Sequence, residues 1–350
     1  MISYDVKKVA KAVADVPQIG HMQALKEHLP EILQPDVDNT YSADGKEAFT
    51  AAVFNMETGN RLDRIIPYLT QHPALSGVDV IFANELDCGM ARSKNLHTTQ
   101  VLAEKLHLNY AYGVEFVTAA AGENGNGLGM HGNAILSRYP LENVSIYHLP
   151  VLNDWFYNAG DCRLGGRIAI LAEVKIKGRR VGLCSVHLEN RATPETRPVQ
   201  MQALCEELER RFPGMPVLMG GDMNTNTVDG ADKPSYLWLE ADVEEQRRRM
   251  GMIPEIEPLM DLTRQYGYDY LDCNIMDKVT RIKPMPDGGD VKFNLDWFFA
   301  RGLSCCDPKV ISSIFDHTQL VNGAQYAAFD GQLLSDHNAV TVTCTVEENA

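Results

Sequence analysis

Gly220-Gly221-Asp222-Met223-Asn224 follows the apolar run Pro216-Val217-Leu218-Met219, and Ser335-Asp336-His337 precedes the run Ala339-Val340-Thr341-Val342-Thr343. Each polar cluster therefore sits at the end of a strand-like segment, and strand ends are rigid mounts for a site. A carboxylate can hold a hard cation, an amide can orient an oxygen, and an imidazole can move or donate a proton. Asp and His are common on surfaces, so neither cluster decides alone. Together, in this order, they predict hydrolysis of a phosphate ester.

Other strand-like runs also end in chemistry. Ala51–Asn55 closes on an amide, Val78–Asn84 runs into Glu85, Val181–Leu188 carries His187, and Leu295–Ala300 places Asp296 among Leu, Trp and Phe. Further apolar runs cover Asn133–Ser137, Ile168–Ile176, Val217–Asp222 and Val340–Val346, with a hairpin turn expected at Lys177-Gly178-Arg179. Helical spacing covers Arg61–Leu69, Thr98–Leu106 and Thr196–Phe212, with Thr193-Pro194 as the expected start of the last. The pattern predicts an α+β fold: a two-sheet, mostly antiparallel β-sandwich flanked by helices. Apolar spacing from Tyr4 to Leu33 adds an N-terminal helical extension, and the turn-rich Pro35–Gly45 reads as a linker or an arm on the core. The expected division is 1–48 for the extension and 49–350 for the catalytic domain.

The chain has 350 residues and a formal net charge of −15. Such an acidic balance repels a polyphosphate backbone at long range, so tight nonspecific duplex binding is not expected. No run reaches the ~18 apolar residues of a membrane span. Met1–Leu29 lacks the apolar core of a secretory signal, and the eight cysteines form no Cys-x-x-Cys pair. Free thiols and a cytoplasmic location are the expectation.

In order, Asn55, Glu85, the stretch Gly132-Asn133-Ala134-Ile135-Leu136-Ser137-Arg138-Tyr139-Pro140, Ser185-Val186-His187-Leu188, Arg197 with Gln200, Gly221-Asp222-Met223-Asn224, Leu295-Asp296-Trp297-Phe298 and Ser335-Asp336-His337 resemble the endonuclease/exonuclease/phosphatase superfamily, whose fold is deoxyribonuclease-I-like. The resemblance spans about Ala51 to Val346 and leaves residues 1–48 and most of Asp229–Val291 unaccounted for. It implies an Mg²⁺-dependent phosphoesterase, with Mn²⁺ able to substitute. Glu85 would hold the cation, with Asn55 and Asp336 close by. Asp222 and Asn224 would orient the attacking water and the scissile phosphoryl group, or help to hold a second cation. His337, backed by Asp296, would contact the phosphate or transfer a proton, and His187, backed by Glu115, would stand on the other side. Arg167 resembles a family arginine beside the phosphate, while Asn133 and Ser137 read as structural.

Gly-x-Ser-x-Gly, a phosphate-loop Lys and His-Glu-x-x-His are missing, which removes support for serine hydrolase, nucleoside triphosphatase and zincin chemistry. Arg247-Arg248-Arg249 reads as a solvated helix face, Met250–Pro258 as a connecting segment, and Trp155-Phe156-Tyr157 as plain loop packing, with a loop overhanging the site to stack a base or enter lipid as the alternative. Two histidines favour a phosphodiester substrate, because they offer a proton route to a poor leaving group. A phospholipid or phosphoinositide hydrolase on the same site is the alternative, and a catalytically silent binding protein a second; a silent relative would be expected to have lost one of these residues. The substrate itself, whether small molecule, nucleic acid or lipid headgroup, stays undecided.

Overall fold

A computed structural model describes residues 25–27, 29–43, 46–118, 125–156, 163–225, 233–285 and 288–347, leaving aside the side chains of 233–236. Its strands are β1 (Asp36–Asp38), β2 (Ala48–Thr58), β3 (Val80–Cys88), β4 (Asn109–Thr118), β5 (Met130–Ser137), β6 (Glu142–His148), β7 (Arg163–Gly165), β8 (Ile168–Ile176), β9 (Arg179–His187), β10 (Val217–Asp222), β11 (Arg281–Pro284), β12 (Asp290–Phe293), β13 (Asp296–Arg301), β14 (Leu303–Ile311) and β15 (Ala339–Val346). Its helices are α1 (Leu62–Gln71), α2 (Thr98–Leu106), α3 (Arg197–Arg211), α4 (Lys233–Ala241), α5 (Val243–Gly251), α6 (Ile253–Ile256) and α7 (Pro258–Gln265).

The strands form two mixed sheets. One runs β1-β4-β5-β3-β2-β15-β14 with β7 on β4, the other β13-β10-β9-β8-β6, and β11-β12 is a separate hairpin. All pairings are antiparallel except β2 with β3 and β9 with β10. Those two pairs need crossover helices, which α1 and α3 supply. Each sheet therefore contains one βαβ unit, and its strands deliver their carboxyl ends to the same side.

Alternation along the strands builds three apolar layers. Val53, Phe82, Ile135, Ile170, Leu183 and Phe298 fill the space between the sheets. Outer-face residues such as Ile81 and Leu136 pack on Ile65, Leu69 and Leu102 of α1 and α2. On the opposite outer face, Val186, Met219 and Trp297 meet Met201, Leu204 and Leu208 of α3. Gly220 faces the middle layer, and an added Cβ would lie 2.8 Å from Val53 and 2.9 Å from Phe82. At Gly221 it would lie 1.8 Å from the Val186 carbonyl oxygen. The Gly-Gly pair before Asp222 is thus a packing requirement.

Several sequence expectations need adjustment. Most of the Tyr4–Leu33 stretch lies outside the described residues; residues 25–27 are helical, Pro30–Leu33 is a 3-10 turn, and Leu25, Leu29 and Ile32 are buried in the core. Pro35–Gly45 holds a short edge strand, β1, paired with Tyr110–Tyr112. The hairpin turn is Lys177-Gly178 alone, both at positive φ, with Ile176 opposite Arg179. Thr196 rather than Thr193 stands at the N-cap position of helix α3, without a side-chain capping bond. Met250–Pro258 is helical rather than a connector, because Pro254 and Pro258 fall in the first turns of α6 and α7, where the missing N–H costs nothing. The arginine run lies on α5 and pairs with Glu244 and Glu245.

Arg197 and Gln200 at the start of α3 turn inward. Arg197 donates to Glu257 at 2.6 and 3.1 Å and to the Ala192 carbonyl at 2.6 Å, and both members of the ion pair are fully buried. Gln200 accepts from Glu189 N–H at 2.9 Å and so fixes the chain just after His187. Removing one partner of such a pair strands a buried charge. Arg197→Met is therefore expected to lose about 3–5 kcal/mol in urea unfolding, and Arg197→Met with Glu257→Met to recover most of that loss.

Candidate active site

The site forms where the carboxyl ends of the two parallel pairs face each other across the sandwich. In the second sheet Asp222 lies in register with His187 on one side and Asp296 on the other. In the first sheet register breaks between Asn55 and Thr58, between Ala83 and Leu86, and between Val114 and Phe116. Each break is a bulge that re-aims side chains, and each contains or adjoins a residue of the site: Asn55, Glu85, Glu115. Glu85 and Asn224 are held at φ 56° and 50°, a region that non-glycine residues enter at a cost.

Asn55 donates from its amide nitrogen to Glu85 Oε1 at 3.1 Å and to Asp222 Oδ2 at 3.0 Å, tying a carboxylate of one sheet to that of the other. Its amide oxygen accepts from Glu57 N–H at 3.1 Å. Asn84 is a second cross-sheet link. Its oxygen accepts from Asp222 N–H at 2.9 Å, while its nitrogen donates to Asn133 and to the Val186 carbonyl. Asp222 Oδ1 accepts from Asn224 N–H, and Asn224 donates to the Leu188 carbonyl at 2.8 Å.

Two histidines converge on Asp222 Oδ2, His187 Nε2 at 3.6 Å and His337 Nε2 at 3.7 Å. His337 Nδ1 lies 2.8 Å from Asp296 Oδ2, so this ring is backed by a carboxylate as expected. Burial pushes the His337 imidazole down, but Asp296, Asp336 and Asp222 outweigh it and raise it to about 10. His187 Nδ1 lies 3.4 Å from Glu115 Oε2, and Arg167 Nη1 approaches the same nitrogen at 2.9 Å. Burial and Arg167 push His187 down, and Glu115 with Asp222 outweighs them and raises it. Burial pushes Glu85 up, yet His187, His131, the Asn55 hydrogen bond and His337 hold it well below the usual carboxylate range.

The remaining expected residues sit further out. Arg167 is buried behind His187, bonded to Glu115 at 2.8 Å and facing Glu189 and Asn190 at 3.4 Å. Asp336 pairs with Arg281 at 3.0 Å and accepts at Oδ2; its N–H donates to Glu57 at 3.1 Å. Ser335 Oγ donates to the Asn55 carbonyl and accepts from His337 N–H, which pins the C-terminal motif to β2. Trp155 packs against Phe116 and Arg163. It is buried, donates to Glu189 at 2.8 Å and lies beneath Arg191, 4.6 Å from its ring centre; Tyr157 is outside the described residues.

Among the described residues, the ligand atoms of Glu85, His187 and Asp222 lie within 4.8 Å of one another, as do those of Asp222, Asp296 and His337. A half-buried and a buried carboxylate, Glu85 and Asp222, converging through one bridging amide fit a hard divalent cation, which prefers oxygen donors. Glu85 and Asp222 would hold it. Asn55, with its oxygen turned to Glu57, positions these ligands, and Asp336 belongs to neither group of converging atoms.

Residues 52–302 match the model of the endonuclease/exonuclease/phosphatase family, and the chain belongs to this family of phosphoesterases. Solved structures share the fold at low identity. An endonuclease/exonuclease/phosphatase from Beutenbergia cavernae is 17% identical, with 86% of this chain and 72% of that one covered at a TM-score of 0.54. A family protein from Leptotrichia buccalis is 14% identical, covering 84% and 98% at 0.51. The catalytic domain of human Nocturnin with bound sulfate is 13% identical, covering 89% and 97% at 0.54. No curated protein matches the chain.

Asn84, absent from the sequence expectations, is the clearest functional addition. Asn84→Ala would leave buried Asp222 N–H without a partner, at a cost of about 1–3 kcal/mol in denaturant unfolding. By loosening Asp222 it is expected to weaken Mn²⁺ binding, followed calorimetrically, by about 10–100-fold.

Proposed function

We propose that the chain is an Mg²⁺-dependent hydrolase of phosphodiesters, working by in-line attack of water. The convergence of His187 and His337 on Asp222 carries this reading. Mg²⁺ or Mn²⁺, held by Glu85 and Asp222, would stabilise charge on the phosphoryl and leaving oxygens. Asp222, locked by Asn55 and Asn84, accepts the proton of the attacking water. His337, kept protonated beside Asp296, donates from Nε2 to a phosphoryl oxygen. His187 supplies a proton on the leaving-group side, with Glu115 and Arg167 fixing its ring. Asn224 steers the phosphoryl group from its strained turn, and Asp336 steadies His337 from the rim. Residues 49–350 form the catalytic domain in this reading.

A phospholipid or phosphoinositide headgroup would use the same residues. The intact set of carboxylates and imidazoles argues against a silent binding protein. No helix of the described residues is long and apolar enough to cross a membrane. The seven described cysteines are free.

EDTA is expected to abolish turnover of a nitrophenyl diester, and Mg²⁺ or Mn²⁺ to restore it. Glu85→Ala should be inactive at low Mg²⁺; full activity there would overturn the assignment. His187→Ala and His337→Ala should each lower the rate by about 10²–10⁴ with the fold retained. With a chain charge of −15, substrate affinity should respond only weakly to salt. A log–log slope much steeper than about −0.9, the value for one phosphate contact, would favour a duplex-binding nuclease instead.

A further inference from the structure

Three thiols gather far from the constellation above. Cys273, Cys305 and Cys344 share the apolar layer between the sheets, and Cys344 stands near the end of β15 away from His337. Cys305 on β14 and Cys344 on β15 are direct partners in the antiparallel ladder, and their sulfurs lie 3.6 Å apart. Cys273 bonds to Cys305 as well, and its thiol also reaches the Asp269 carbonyl at 3.7 Å. Cys306, next along β14, is exposed on the opposite strand face.

Ladder partners have Cα atoms about 4.5–5.5 Å apart, inside the roughly 4.4–6.8 Å span of disulfides. Rotation of the two side chains can therefore close the sulfur gap to a bond without moving the backbone. Cys305 has the features of the attacking thiol. It is half-buried on the strand that ends its sheet, so a small oxidant reaches it from the uncovered flank. Hydrogen bonds from Cys273 and Cys344 pull its thiol down, against burial and the nearby Asp269 and Asp272. Cys344 is fully buried, and its bond to Cys305 together with that burial pushes its thiol up. It is placed to resolve an oxidised Cys305 and not to meet the oxidant first.

We propose that Cys305 and Cys344 are an oxidisable dithiol, a modification site that a hydroperoxide converts to an intramolecular disulfide. With hydrogen peroxide, the Cys305 thiolate attacks one oxygen and the O–O bond breaks. The other oxygen leaves as hydroxide and takes up the proton that Cys305 released, giving water. The Cys344 thiol then attacks the sulfenic sulfur of Cys305: the S–S bond forms, the S–O bond breaks, and a second water leaves with the Cys344 proton. Two thiols lose two electrons, and one peroxide gains them. The bridged residues are 39 apart, and the loop they close contains Ser335-Asp336-His337. A bridge of that span restricts the unfolded chain, so the oxidised protein is the more heat-stable form.

The test uses the full chain carrying C306S, which removes an exposed thiol that could link two molecules. The protein is treated with hydrogen peroxide in slight excess, its remaining thiols are alkylated, and its peptides are mapped by mass spectrometry without reduction. The expected product is a pair of peptides joined through Cys305 and Cys344, short of two hydrogens and separated again by dithiothreitol. Its Tm should lie about 5–10 °C above that of the reduced protein. Adding C305S should remove both the bridge and the rise in Tm. A bridge on any other pair, oxidation of Cys305 to sulfinic or sulfonic acid without a bridge, or both thiols still open to alkylation overturns the inference. So does an equal rise in Tm with C305S. If the C305S protein does not fold, the peptide map of the C306S protein decides alone.

Discussion

The hydrogen bonds from Asn84 and Asn55 across the sandwich are the constraint on which the site depends. Apolar packing between sheets is non-directional and does not by itself fix where a polar side chain points. The paired amides do. Asn84 binds Asp222 through its backbone and Asn55 through its carboxylate, so the position of one sheet's acid is defined by the other sheet's strands. Because both amides are buried, water cannot substitute for these bonds cheaply. Gly220, facing Val53 and Phe82 of the other sheet, permits the close approach between the sheets.

Much of this architecture was legible in the sequence, for a physical reason. Buried strands such as Ile168–Ile176 and Val217–Asp222 read as apolar runs and ended where expected. His187, Asp222 and Asp296 were legible because each interrupts such a run, and a charge at a run's end or interior needs a partner. The β4 and β14 strands were missed, one mixing Asn, Gly and Glu with its aromatics and the other carrying Asp, Pro and Lys along an exposed edge.

Asn84 was missed for a sharper reason. Simple alternation places Asn84 and Glu85 on opposite faces of a strand, so choosing Glu85 for the site excludes its neighbour. The bulge between Ala83 and Leu86 removes that exclusion, and nothing in the local residue types announces it. Asn133 was read as structural, and its bonds to Asn84 and to Glu85 N–H give that role a definite content. Arg167 and Asp336 were chosen for types that suit a phosphate or a cation, and the ion pairs they make, with Glu115 and with Arg281, were not legible in the sequence.

Glu85 and Asn224 occupy left-handed backbone at the centre of the site. Such positions cost on the order of 1–3 kcal/mol, least for Gly and Asn. Glycine at position 85 would relieve the backbone, but it would also remove the oxygen that accepts from the Asn55 amide at 3.1 Å. The conformation at Glu85 is thus a backbone cost placed at the very centre of the site, where its carboxylate meets the Asn55 amide.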